Sequence, residues 1–228
     1  MQILSRRKLI RRLGVAGAAC VAGCSHNSTL DLMRASFFGP STGTAGYPAT
    51  PEQIADLPYA TLGVKIGDGP AAVMVLAQQQ GGELVWASQD RVVFVTRGGR
   101  LIQTIGLTRD LARTDIVGND PLSKISDQTV SLSSTPLTEL VDLHSPDELS
   151  VPVRATLSIL GTETIEIMGR PRATVHVLEA LSVDKWTWTA NNHYWVDIHN
   201  HRVWRSVVQF CPQVPPIRLE LLKPAAAI

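Results

Sequence analysis

Two absences set the first bounds. Acidic residues are missing from the first twelve positions, and the apolar run that follows, Leu13 to Gly23, is too short to be a spanning helix. Such a helix needs about 20 apolar residues. A short run behind Arg6, Arg7, Lys8, Arg11 and Arg12 has instead the layout of a cleaved export signal over residues 1–23. It ends in Val21-Ala22-Gly23-Cys24, a lipobox. Small residues before Cys24 suit a narrow peptidase site, so Cys24 is expected to carry lipid and to become the mature N-terminus. Ser5-Arg6-Arg7-Lys8-Leu9-Ile10 also resembles a twin-arginine signal, and the general and twin-arginine export routes both stay open. Ser25 follows Cys24 where an Asp would favour inner-membrane retention, which points to the inner leaflet of the outer membrane, facing the periplasm.

Cysteine is the next scarcity. Of three, Cys20 leaves with the signal and Cys24 takes the lipid, so Cys211 remains alone. No intrachain disulfide is then possible, despite an oxidising compartment. Cys211 is expected to be a small buried hydrophobe. Charge of one sign is lacking too. Removing 23 of the 228 residues leaves 205, and the five basic residues lost with them turn 21 basic against 20 acidic into 16 against 20. A mildly acidic chain is a poor nucleic-acid partner. Nor is there a nucleophile elbow, a phosphate-binding loop, an HExxH or a cofactor-binding pattern. Glu163 and Glu166 are three apart on an expected strand, so they face opposite ways and make no glycosidase pair.

What is present reads as an all-β domain over residues 51–228, an antiparallel sandwich or partly open barrel behind two short helices. Residues 24–50 are read as lipidated N-terminus, first helix and linker. Ser28 caps that helix, with Leu30, Met33 and Phe37 on one face; Ser41 to Ala49 is the linker. Thr50, Pro51 and Gln53 open the second helix with a capping box. From Tyr59 the period becomes two. Strands are expected at Tyr59–Ile66, Ala71–Gln78, Glu83–Ala87, Arg91–Thr96 and Arg100–Leu107. A second set is expected at Val151–Leu160, Glu163–Met168, Ala173–Ser182, Lys185–Asp197, Arg202–Phe210 and Ile217–Leu222. Thr108–His144 is irregular, with one helical turn and polar loop.

Two constellations invite a functional reading. Asp197, His199 and His201 have alternate-residue spacing that would suit a metal on a strand, but the flanking aromatic strands make a hairpin loop the expected role, with no metal bound. Trp186 and Trp188, with Thr187 between, are placed on one strand face, either as a contact surface for ligand or partner or as part of a sheet core.

A resemblance adds to this. Leu32-Met33-Arg34-Ala35-Ser36-Phe37-Phe38-Gly39, Leu57-Pro58-Tyr59-Ala60-Thr61, Trp86-Ala87-Ser88-Gln89-Asp90 and Thr96-Arg97-Gly98-Gly99-Arg100-Leu101 occur in order. Thr104-Ile105-Gly106-Leu107, Asp110-Leu111, Asn119-Asp120-Pro121-Leu122 and Tyr194-Trp195-Val196-Asp197 follow. This string resembles the YjbF/GfcB lipoprotein family, linked to exopolysaccharide and group four capsule production. His199-Asn200-His201 departs from it, where a Thr-Gly turn is more usual. The resemblance implies an all-β, periplasm-facing, non-catalytic accessory in polymer secretion. Its implied partners are the membrane through the Cys24 lipid, other export proteins of the envelope and the polysaccharide itself. A carrier or chaperone for lipid or glycan and an envelope hydrolase are the competing readings.

Overall fold

The computed structural model describes residues 46–125 and 135–225. Twelve strands form one antiparallel sheet: β1 (Thr61–Ile66), β2 (Ala72–Gln80), β3 (Glu83–Ala87), β4 (Val93–Arg97), β5 (Arg100–Ile105), β6 (Leu111–Ile116), β7 (Thr135–Leu143), β8 (Val151–Ile167), β9 (Arg170–Val183), β10 (Trp188–Asp197), β11 (Val203–Val208) and β12 (Ile217–Lys223). Their order is β5-β4-β3-β2-β1-β12-β11-β10-β9-β8-β7-β6. Neighbours in sequence are therefore neighbours in space, and the first and last strands pair in the middle, from Thr61 against Lys223 to Ile66 against Ile217. The sheet curls until β5 lies beside β6, so the result is a nearly closed up-and-down barrel.

Alternation fills the barrel. Leu62 and Val64, Trp86, Phe94, Val153, Val175, Val177, Tyr194, Val196, Ile217 and Leu219 all belong to one buried cluster. A second, smaller cluster joins Tyr47, Ala49, Ile54, Leu57, Val73, Ile167, Trp204 and Leu222. It holds α1 (Pro51–Asp56) against the sheet. Thr50 accepts from the backbone N–H of Gln53, and the Gln53 side chain accepts from that of Thr50, which is the expected capping box. At the other end of α1, Lys223 Nζ donates to the Ala55 carbonyl at 2.7 Å and also to that of Leu57. The last strand thus caps the helix that precedes the first. The helix expected after Ser28 lies outside the described residues, as does Cys24.

The linker reading fails at its end. Tyr47 and Ala49 are buried against the barrel, because Gly63 leaves room for a ring: a Cβ on Gly63 would sit 2.5 Å from Tyr47. The stretch Thr108–His144 is also more regular than its sequence pattern. It contains β6 and β7, with the helical turn reduced to a 3₁₀ turn at Pro121–Lys124. The segments expected at Val151–Leu160 and Glu163–Met168 are one 17-residue strand, β8. A register shift between Ile159 and Gly161 bends it without ending it, and Gly161 supplies the φ of +146°.

Candidate functional site

The interior is polar at one level. Arg100, on β5, is 3% exposed and projects into the barrel. Its Nε and Nη2 donate to the two carboxylate oxygens of Asp120, at 3.0 and 3.2 Å. Its Nη1 lies 2.9 Å from Glu139 on β7, 2.7 Å from Glu179 on β9 and 3.1 Å from the Tyr194 hydroxyl on β10. Tyr194 donates to Glu179 at 2.9 Å, and Asn192 Nδ2 donates to the same oxygen at 3.1 Å. Glu179 is wholly buried, so each of these bonds replaces lost water.

One guanidinium faces three carboxyl groups. Burial, and then the charge of Glu179, push Glu139 up from 4.5 to about 8, with Arg100 opposing the shift. Glu139 therefore holds a proton near neutral pH, and this relieves the imbalance. The pair Glu139 and Glu179 has the look of an acid–base couple, yet it is enclosed and bound on every side. Its role in this geometry is to hold β5, β7, β9 and β10 together.

Above this level the barrel opens. A cavity of about 380 Å³ lies at one mouth, within the size range of small-ligand sites. Its floor is Leu62, Leu84, Trp86 and Leu219; Gln79, Asn200 and Arg202 stand on its rim. Trp86 spends its N–H on Thr96 Oγ1, at 2.9 Å, so it shows the cavity a plain apolar surface. The β4–β5 turn crosses the mouth: a Cβ on Gly99, whose φ is +85°, would lie 2.3 Å from Val203 of β11. Only glycine lets the turn close over that valine.

The outer face carries a cross-strand row. His176 on β9, Trp195 on β10, Arg205 on β11 and Glu220 on β12 are successive register partners. His176 stacks on Trp195 at 4.5 Å between ring centres, lies 3.1 Å from Glu163 and shares a 3.0 Å bond with His193. Burial holds His176 below the ordinary imidazole range, although Glu163 pulls the other way. Arg205 is 2.5 Å from Glu220, which is buried beneath Tyr47.

The residues singled out by sequence are distributed unevenly over this frame. Trp186 and Trp188 do not share a strand face. Trp186 ends a 3₁₀ turn at Asp184–Trp186, Thr187 takes a left-handed φ of 47°, and Trp188 begins β10. Their rings meet edge to face at 6.2 Å, and both are half-buried against the barrel core. The turn residue between them broke the alternation on which the shared face depended. Asp197 organises the β10–β11 loop, accepting from the N–H groups of His199 and Asn200 and from Trp204 Nε1 at 2.9, 3.2 and 2.7 Å. His201 turns away, its Nδ1 2.6 Å from the Ile125 carbonyl. The loop is thus the hairpin connection expected. Cys211 is buried, and burial raises its thiol pKa.

Sequence reasoning missed Arg100 and its partners. They lie 20, 39, 79 and 94 residues from it, so no local spacing shows them.

These features define a class: a small antiparallel barrel with a salt-bridged interior and a cavity at one end. The chain belongs to the family described as group 4 capsule polysaccharide lipoprotein GfcB, YjbF, which it matches over residues 30–222. It is 29% identical to the lipoprotein GfcB of Escherichia coli K12, over 91% of this chain and 95% of that one. It is 28% identical to the lipoprotein YjbF of the same organism, over 80% and 84%. The crystal structure of the hypothetical lipoprotein YmcC from Escherichia coli K12 superposes with a TM-score of 0.68 at 27% identity, covering 89% of this chain and all of that one.

Proposed function

We propose that this chain is anchored by lipid on Cys24 to the periplasmic face of the outer membrane and assists secretion of exopolysaccharide or capsule by binding, without catalysing a reaction. The observation that carries the reading is the family match, which spans nearly the whole chain behind the lipobox. The structure supports the binding half of it. The carboxyl groups that converge, Glu139 and Glu179, are sealed inside the barrel, where no polymer reaches them. The mouth, with an apolar floor and polar rim, offers a surface open to a ligand. A tether also raises the effective concentration of the domain for partners on the same membrane.

The test is a Cys24→Ala chain expressed in the host. It should be exported and folded, as judged by circular dichroism, yet secrete little of the polymer. Normal secretion by the untethered chain would remove the anchoring claim. Steady cleavage of the host's own polymer by purified protein would replace binding with hydrolysis. The cavity favours a second reading, a carrier for a lipid or glycan. A bound ligand released from the protein on denaturation, and identified by mass spectrometry, distinguishes the carrier from an accessory subunit.

A further inference from the structure

Arginines around most of the barrel are matched by carboxylates, from Arg97 with Glu83 round to Arg218 with Glu220. Around Trp204 this matching stops. Arg170 and Arg172 on β9 and Arg202 before β11 have no carboxylate within 4 Å and no side-chain hydrogen bond among the described residues; elsewhere only Arg91, in an exposed turn, is like them.

Two of the three converge on one ring. The Arg172 guanidinium lies 4.0 Å from the centre of Trp204, and that of Arg202 lies 5.4 Å from it. Arg172 keeps its Nε out of solvent with no acceptor. Burial, then the charge of Arg170, holds it below the ordinary guanidinium range; Asp197 pulls the other way, and Arg202 adds a smaller push downward. The nearby carboxylate, Asp197, is committed to Trp204 and to two backbone N–H groups. One carboxylate among three guanidinium groups leaves like charges only partly offset, and a further anion is what relieves them. A register shift between Trp195 and Val196, where β10 pairs with β11, sets up the ring. It turns Trp204 to the outer face beside Arg205, and Trp204 then holds the guanidinium groups in place.

We propose that Arg170, Arg172 and Arg202 form a binding site for the carboxylate groups of an acidic polysaccharide, on the outer wall of the barrel beside its open mouth. Guanidinium groups suit carboxylates because their paired N–H donors match the two oxygens. The mature sequence is acidic overall, so this basic cluster is local and gives an anionic chain one place to settle. Arg202 also lines the cavity, which puts the anion site and the mouth on one continuous surface. A glycan rather than a lipid headgroup is favoured because the family is described by capsule polysaccharide. The proposal rests in that respect on the secretion reading above.

The test uses the mature lipoprotein in non-ionic detergent, titrated calorimetrically with oligogalacturonate, with a neutral dextran of equal length, and with short-chain phosphatidylglycerol. Oligogalacturonate should bind, more weakly as salt rises, and dextran should not. Arg202→Gln should weaken binding about tenfold, the loss expected for one charge-assisted hydrogen bond, with an unchanged melting temperature. Arg172→Lys keeps the charge and removes the planar donor pair, so it should weaken binding while still folding. No binding of oligogalacturonate, equal binding by the variants, or preference for phosphatidylglycerol overturns the site. Secretion assays with Cys24→Ala report separately on the function: titration failing while secretion still needs the anchor sinks only the site.

Discussion

The barrel is closed twice, by different means. Between β1 and β12 it closes with a backbone ladder, reinforced by α1, Tyr47 and Lys223 on the outside. Between β5 and β6 no ladder forms, and side chains do the closing. Arg100 on β5 grips Asp120 and Glu139 beyond β6, while Thr104 and Asp110 bridge the strand ends. A ladder spreads its energy over many weak and equivalent bonds. A side-chain clasp concentrates it in a few groups, each costly to remove because its partners are buried charges. The seam is therefore the place where one substitution can open the molecule.

The largest expected effect follows directly. Arg100→Met removes the cation and strands Glu179 and Asp120, so it should destabilise the fold by about 3–5 kcal/mol in urea unfolding. Hydrogen exchange should show β5 and β6 opening before β1 and β12. A loss under about 1 kcal/mol, at the level of an exposed ion pair, would mean that the seam is not held by this group.

Next comes pH. Glu139 keeps its proton to about 8 in the folded state, whereas a free carboxyl releases it near 4.5. Between those values the unfolded chain binds fewer protons. Stability is thus fully present below about 4.5 and declines as pH rises toward about 8, by on the order of 2–4 kcal/mol from this group. Glu139→Gln should flatten the decline. An unchanged slope in the variant would assign it to other groups.

The opposite closure offers the third test. Gly63→Ala places a methyl 2.5 Å from the Tyr47 ring and should lift Tyr47 off β1, at about 1–3 kcal/mol. The double change with Tyr47→Ala should be less than additive, since both act on one contact. Additive losses would show that Tyr47 does not rest in that hollow.

The same contrast explains what the sequence disclosed. Ladder strands carry period-two alternation, and Glu83–Ala87 was legible to the residue. The capping box of α1 was legible because its three residues are adjacent. The seam strands were not. In β7 the inward position after Leu137 is Glu139, so a core residue reads as a surface one, and Pro136 adds a turn signal. In β6 a register shift between Leu111 and Arg113 and a buried Thr114 break the apolar alternation. In β7 the buried carboxyl that helps hold the seam thus erased the pattern that would have revealed the strand. The motif expected to be a lipobox at Cys24 is local in sequence, whereas Arg170, Arg172 and Arg202 meet only because β9 and β11 flank β10.

The smallest expected effect probes the seam at its other clasp. Asp110 accepts from Thr104 Oγ1 at 3.0 Å and from the backbone N–H groups of Gly106 and Leu107 at 2.9 and 3.0 Å. Thr104 Oγ1 in turn accepts the Leu111 N–H at 2.9 Å, where a ladder bond between β5 and β6 would otherwise lie. Thr104→Val keeps the shape and removes the acceptor. It leaves the Leu111 N–H buried and unbonded, and should cost about 1–2 kcal/mol. The loss should be local: exchange at Leu111 should quicken while the β1–β12 amides stay protected. If the β1–β12 amides quicken equally, the two closures open together, and the barrel behaves as one cooperative unit with no seam to speak of.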